Sequence, residues 1–358
     1  MEMPEPIKAN SLYPAITVVV PVFNLELYLR DAVRSAQGQT YQGPVSIVVL
    51  DDGSTDNSLE VARKLAESCT NLRVYTQPNQ GRSAARNRLV QLADTELIAW
   101  LDGDDIAAPR WLEQQLELLS SQENYSAVSA QGYAMTADAY PIGPIERPLS
   151  SEEIESRHLG GQANAFFQSA VLTKKSAIER AGGYREQYSI GEDYDLWLRI
   201  GETGSLANLD AVHLYYRVHD TSANATQGVG QRQQARDAVN EARAKRGLAS
   251  LPTSADEVIP PKKDDWNRCI YWIHIAHQSG NPLTAIKLLR SAIAKHPTSL
   301  LLWLHALLAI ADCILIRGNA TPRFVAGAEA RIGRLPNFSF YRLASALNRF
   351  RHRLTHRA

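Results

Sequence analysis

The sequence predicts an α/β fold: a mixed, mainly parallel sheet flanked by helices and followed by a smaller α-helical region. Three observations carry that prediction. Continuously apolar, β-branched runs such as Ile-Thr-Val-Val-Val-Pro-Val at 16–22 alternate with segments of helical period, the pattern of a parallel sheet buried on both faces. Successive runs lead into charged clusters, and ligands on such sheets gather at the carboxyl ends of the strands. Beyond a stretch holding Pro252, Pro260 and Pro261 the pattern becomes wholly helical. The 358 residues allow one large domain and one smaller part, divided as 1–250, a linker at 251–263, and 264–358.

In chain order, 16–22 is the first strand and Phe23-Asn24 turns the chain. The spacing of Leu29, Val33 and Ala36 predicts a helix within 25–37, and 45–50 is a second buried strand. It ends in Asp51-Asp52-Gly53-Ser54-Thr55-Asp56, where Ser54 or Thr55 is expected to cap a helix running to about Ser68. Residues 72–76 read as a third strand. After it, Asn79-Gln80-Gly81-Arg82-Ser83-Ala84-Ala85-Arg86-Asn87 opens another helix, and Arg82 and Arg86 beside a glycine suit a phosphate. The fourth strand, 98–101, delivers Asp102, Gly103, Asp104 and Asp105. Three carboxylates around one glycine repel one another unless a cation sits between them. Hard oxygen ligands there suit Mg²⁺ or Mn²⁺ holding a phosphate. A solvated Asp-Gly turn explains the octapeptide alone equally well; the convergence of three strand ends favours a site.

Four stretches now stand in order: Val20-Pro21-Val22-Phe23-Asn24; Val49-Leu50-Asp51-Asp52-Gly53-Ser54-Thr55-Asp56; Asn79-Gln80-Gly81 with Ala85-Arg86-Asn87; and Leu101-Asp102-Gly103-Asp104-Asp105. Through them the chain resembles the inverting family 2 glycosyltransferases of GT-A fold, over roughly residues 16–224. The resemblance implies a nucleotide-sugar donor, usually a UDP-sugar, and a divalent metal, Mn²⁺ or Mg²⁺, bridging the DxD carboxylates and the diphosphate. It also implies inversion at the anomeric carbon. By position, Pro21, Val22, Asn24 and Gly103 line the donor pocket, and one of Asp51 and Asp52 bonds the base or ribose. Asp102 faces ribose and metal, Asp104 is the direct metal ligand, and Asp105 braces its neighbours.

Residues 135–162, polar and holding Pro141, Pro144 and Pro148, read as a long acceptor-side loop with a capping box at Ser150 to Glu153 opening a short helix. A strand at 166–172 and a helix at 174–180 follow, closed by Ala181-Gly182-Gly183-Tyr184. In Gly191-Glu192-Asp193-Tyr194-Asp195-Leu196-Trp197, three carboxylates open a helix whose positive dipole end tolerates them, which suffices for Glu192 and Asp195. Asp193 is assigned chemistry, because an inverting transfer needs a base for the acceptor hydroxyl. The Glu-Asp pair resembles the family's acceptor-side motif, whose aspartate is that base, and Glu192 and Trp197 are placed beside the acceptor. Residues 212–218 alternate as a strand. Tyr216-Arg217-Val218-His219 resembles the family's Tyr-Arg-x-His ending, which makes Arg217 a diphosphate contact and His219 a third metal ligand.

Residues 227–246 predict a polar helix, and 266–278 and 283–295 a helix pair around Gly280-Asn281-Pro282 that resembles one tetratricopeptide-type unit. The run 300–316 is the most apolar but shorter than the roughly 20 residues of a membrane span, and a central Asp312 would oppose insertion by about 2.5–3.5 kcal/mol. It reads as a buried or interfacial helix. Residues 317–358 carry nine arginines and one acid, a surplus of +8 in a chain of 38 basic and 38 acidic residues, and suit an anionic membrane surface. Cys69, Cys269 and Cys313 share no ligand spacing, and 1–10 lacks an apolar run, so a cytoplasmic protein is expected, peripheral on the inner membrane. The expected activity is transfer of a sugar to a glycan or lipid-linked acceptor in cell-surface polysaccharide or lipopolysaccharide synthesis, with no nucleic acid as partner. A silent GT-A domain that scaffolds a glycan-assembly complex is the competing reading. A nucleotidyltransferase is disfavoured, since no Gly-rich, Lys-containing loop follows the first strand.

Overall fold

The computed structural model describes residues 13–162, 165–188, 191–220, 222, 228–251 and 265–295. Contacts divide the chain into two units, 1–264 and 265–358. The first contains β1 (Ile16–Val22), α1 (Leu29–Gln37), β2 (Val45–Asp51), α2 (Ser58–Glu67), β3 (Leu72–Thr76), α3 (Arg82–Leu92), β4 (Leu97–Trp100) and β5 (Ile106–Ala107). It continues with α4 (Trp111–Ser121), β6 (Tyr125–Thr136), β7 (Pro141–Ile145), α5 (Ser151–Leu159), β8 (Val171–Lys174), α6 (Lys175–Arg180), α7 (Glu192–Ile200), β9 (Ser205–Val218) and α8 (Gly228–Lys245).

The strands form one mixed sheet in the order β3-β2-β1-β4-β8-β6-β9-β5, with β7 paired to β6. β1 runs parallel to β2 and β4, and β2 parallel to β3. β8 is antiparallel to both β4 and β6, while β6 and β9 are mutually parallel. Two reversals restore the original direction, so β1, β2, β3, β4, β6 and β9 all end at one edge. Every predicted charged strand end therefore meets there.

Side chains alternate along a strand, and both faces are covered. Val18, Val20, Val22, Ile47 and Val49 pack with Ala32, Val33, Ala62, Leu65 and Trp111, placing α1, α2 and α4 on one face. Val19, Val48, Leu50, Ile98 and Trp100 pack with Ala85, Leu89, Ile154, Ile178 and Trp197, placing α3, α5, α6 and α7 on the other. Each fully buried Val or Leu contributes about 1.5–3 kcal/mol, so this double-sided core anchors the edge.

The structure corrects several sequence readings. The helix expected over 25–37 begins at Leu29. Helix α2 is not capped by Ser54 or Thr55: Asp56 Oδ1 accepts from the Ser58 N–H and hydroxyl at 2.9 and 2.5 Å, while Ser54 Oγ accepts from the Asn24 N–H. The strand expected at 166–172 is Val171–Lys174. The acceptor-side loop of 135–162 is the end of β6, the strand β7 and α5, whose Ser150 cap forms as expected. Pro141 and Pro144 misled, because an edge strand tolerates proline.

In the second unit, α9 (Asp265–Gln278) and α10 (Pro282–Lys295) pair across a turn in which Gly280 is left-handed, burying Ile273, Ala276, Ala285, Leu289 and Ala292. Among the described residues no helix is long and apolar enough to cross a membrane. The runs at 300–316 and 317–358 lie outside the described residues.

Candidate active site

The site is built first from the turns after β1 and β2. Asn24 is left-handed, with φ 55°, a conformation Asn tolerates. Its Oδ1 accepts from the Thr55 N–H at 2.8 Å, so the two strand ends are clasped together. Asp51 and Asp52 are both buried but differently engaged. Asp52 Oδ1 accepts from Gln77 Nε2 (2.8 Å) and the Gln80 N–H (3.1 Å), and its Oδ2 from the Gly81 N–H (3.1 Å). Asp51 Oδ2 accepts from the Ser54 N–H at 3.2 Å, whereas its buried Oδ1 has no partner among the described residues. Val22 is buried and Pro21 half-buried, and a Cβ on Gly103 would lie 3.2 Å from the Pro21 carbonyl oxygen, so the turn after β4 rests directly on the end of β1.

The three carboxylates after β4 separate by environment. The Asp102 N–H donates to Ser169 Oγ (3.1 Å), and Asp102 Oδ1 accepts from Arg86 Nη2 (3.0 Å). Burial raises the Asp102 carboxyl, and Arg86 opposes the rise. Asp105 is 1 % exposed and accepts the Arg217 backbone N–H at 2.9 Å. Burial and the neighbouring Asp104 and Asp102 push its carboxyl well above the usual range, which fits the bracing role expected of it. Asp104, like Asp102, is half-buried, and His219 Nε2 lies 3.0 Å from its Oδ2. Among the described residues no three His, Cys, Asp or Glu side chains form a ready metal cage. The donor set offered is hard carboxylate oxygen plus an imidazole nitrogen, which fits Mn²⁺ or Mg²⁺ with further oxygens from a ligand.

Arg217, at the end of β9, is buried and committed to protein. Its Nε donates to the Asp104 carbonyl (2.7 Å), its Nη1 to the Ala137 carbonyl (2.6 Å), and its Nη2 to Asp31 Oδ2 (3.1 Å). Its guanidinium stacks 5.0 Å from the Tyr28 ring, which also lies 4.7 Å from His219. The sequence placed Arg217 on a diphosphate; the structure makes it a clamp on the DxD turn. Tyr28, Asp31 and Ser169 were missed, since each meets the site only through the tertiary fold.

At the start of α7, Glu192 is buried and its Oε1 accepts from Arg86 Nε at 3.2 Å. Arg86 is thus held between carboxylates, and Arg82, half-buried at the first position of α3, is a second cation whose charge reaches Asp102, more weakly than that of Arg86. Asp195 is buried between Arg185 and Arg199, as its structural reading required. Asp193 has neither. Among the described residues its Oδ1 accepts only the adjacent Tyr194 N–H (2.7 Å), and burial, then Glu192, push its carboxyl up to about 6 against the pull of Arg86. Trp197, expected beside the acceptor, is 1 % exposed and packs on Phe166 at 5.0 Å, a core position.

Residues 17–182 match the family described as glycosyl transferase family 2. An uncharacterized glycosyltransferase of Rickettsia typhi is 26% identical over 223 residues, covering 61% of this chain and 69% of that protein. Another, from Haemophilus influenzae, is 34% identical over 173 residues, covering 46% of this chain and 64% of its own length, just under two thirds. The crystal structure of S. aureus TarS 1-349 in complex with UDP-GlcNAc matches with a TM-score of 0.51 at 15% identity, over 76% of this chain and 83% of that one, a likeness of fold.

Proposed function

We propose, on the premise that residues 17–182 make this chain a member of glycosyl transferase family 2, that it transfers a sugar from a nucleotide-sugar donor to an acceptor hydroxyl with inversion. The observation that carries the reading is the opposition of two differently prepared carboxylate sets. Asp102 stands at the strand edge beside Arg86 and Asp104 beside His219, while Asp193, among the described residues, is raised toward neutrality without an arginine of its own. A carboxylate titrating near 6 is ionised at pH 7 yet basic enough to take a proton, which suits a general base.

The donor's nucleoside is assigned to the turns after β1 and β2. Asp51 is the better candidate for the base or ribose, because its Oδ1 has no partner among the described residues whereas Asp52 is spent on the 77–81 loop. Arg82 faces the diphosphate. A divalent ion would be held by Asp104 and His219, with Asp102 alongside, and would supply positive charge to the departing diphosphate. Asp193 accepts the hydroxyl proton as that oxygen attacks the anomeric carbon from the side opposite the leaving group. One displacement suffices, with no covalent sugar on the protein.

A UDP-sugar donor and a glycan or lipid-linked acceptor in cell-surface polysaccharide or lipopolysaccharide synthesis complete the proposal, with the basic 317–358 segment meeting an anionic membrane surface from the cytoplasmic side. The test is nucleoside diphosphate release from UDP-, GDP- and dTDP-sugars with Mn²⁺, Mg²⁺ or EDTA, with nucleotide binding measured in parallel. Metal-dependent release from one donor, lost in Asp104→Ala, is expected. Failure of the wild-type chain to bind any of these nucleotides would sink the reading.

A further inference from the structure

We propose that Arg86 is a positioning residue that couples the donor edge to the proton-accepting side, a role that rests on the glycosyl-transfer reading above. One guanidinium bridges two carboxylates that lie 90 positions apart in the chain. Its Nη2 donates to Asp102 Oδ1 at 3.0 Å and its Nε to Glu192 Oε1 at 3.2 Å. Its side chain is 7% exposed, so the guanidinium depends on these two carboxylates for its charge partners.

Packing fixes the fork as firmly as charge does. The guanidinium lies 5.5 Å from the Trp100 ring and 5.9 Å from the Tyr184 ring. Tyr184 is itself pinned at both ends: its hydroxyl accepts from Gln168 Nε2 (3.0 Å), and its main chain is clasped by Asn87, whose Oδ1 accepts the Tyr184 N–H (2.8 Å) and whose Nδ2 donates to the Tyr184 carbonyl (2.7 Å). Asn87 follows Arg86 on α3. A planar guanidinium so framed sets the separation of its two partners, which a lysine's point charge cannot do.

The consequence is thermodynamic coupling. A cation arriving beside Asp102 competes with Arg86 for that carboxylate, and the guanidinium then bears more fully on Glu192, the neighbour of Asp193. Coupling between sites is reciprocal, so a change at Glu192 must be felt at the donor edge although Glu192 does not reach it.

Two measurements on the full chain test this. In the first, UDP or GDP with Mn²⁺ is titrated calorimetrically. Glu192→Gln throws the whole Arg86 charge onto Asp102 and is expected to weaken nucleotide binding at least fivefold, whereas in an Arg86→Lys background the same change moves Kd less than twofold. Equal shifts in both backgrounds would overturn the role. In the second, urea unfolding of Asp102→Asn, Glu192→Gln and the double variant is expected to be non-additive by at least fivefold in the unfolding constant, without any ligand. Additivity would overturn the bridge. Non-additivity in a wild-type chain that binds neither nucleotide would remove the functional reading while leaving the bridge in place.

Discussion

The donor edge and the start of α7 both gather buried carboxylates, and they satisfy them by different means. At the end of β2 the partners of Asp51 and Asp52 are neutral. Asp51 takes the Ser54 N–H three residues on, and Asp52 takes a side-chain amide and two backbone N–H groups from 77–81. At α7 the partners are charged: Arg86 for Glu192, and Arg185 with Arg199 for Asp195. Neutral donors leave a carboxylate its charge to spend on a ligand, whereas an arginine spends it on the fold. Asp193 is the exception within its own set, and that exception singles it out.

The largest effect that can break this comparison is on turnover. Asp193→Asn is expected to lower kcat by about 10²- to 10⁴-fold, the usual worth of a general base. Stability should not follow. The folded carboxyl titrates at about 6 against an ordinary 3.8, so the folded state binds the proton more tightly. This group's contribution is therefore greatest below pH 4, declines between 4 and 6, and is a net cost above 6 that asparagine removes. The variant should melt at or above the wild-type temperature at pH 7.5. The wild-type kcat/KM profile should have an acid limb near 6, since below it the protonated carboxyl cannot accept. A loss of turnover under tenfold, or a melting point well below wild type, would return Asp193 to the structural set.

Next in size is the contrast between charged and neutral partners. Asp195→Ala strands Arg199, whose side chain is 7 % exposed, and is expected to cost about 3–5 kcal/mol. Asp52→Ala leaves only neutral donors in a turn open to rearrangement, and should cost about 1–3 kcal/mol. Urea unfolding monitored by tryptophan fluorescence checks both. Equal losses would mean that the two edges are held in the same way.

The same contrast explains what could be read from the sequence. The β1 to β4 half was legible because its strands are continuous apolar runs and its acids stand in short motifs at the strand ends, although the donors that hold Asp52 lie 25 to 29 residues away. The α/β class and the likeness to glycosyl transferase family 2 over 17–182 followed from those stretches. Beyond β4 the helices and the last strand are still legible, but the signals of the middle strands fail. β6, rich in Ala, Ser and Gly, carries little β-branched pattern and was not foreseen, and β7 hides two prolines in an edge strand. Trp197 was misplaced because a tryptophan beside a catalytic motif looks like a platform, while only the packing of Phe166 shows it to be core. Arg86 and Arg217 were recognised as cations of the site but not as bridges, since their partners lie from 16 to 186 residues away. Such distances leave no trace in a local pattern.

The smallest expected effect tests whether the end of β2 and the 77–81 loop are one unit. Gly53 and Gly81 both have positive φ, 72° and 84°, but they differ in what a side chain would meet. At Gly81, with ψ 170°, nothing lies within 4 Å of a built Cβ, so Gly81→Ala should cost only the backbone strain, about 1–3 kcal/mol, and leave Asp52 in place. At Gly53 the Cβ would stand 2.6 Å from the Asn79 backbone nitrogen, and a main chain cannot swing aside as a flexible side chain can. Gly53→Ala must therefore push the 77–81 loop away from the end of β2, and with it the Gln80 and Gly81 N–H groups that hold Asp52. If the end of β2 and the 77–81 loop are one unit held by neutral bonds, Gly53→Ala should be the less stable variant and should also weaken binding of a nucleoside diphosphate, while Gly81→Ala changes stability with little change in affinity. If the two variants lose affinity alike, the loop and the carboxylates are not one unit.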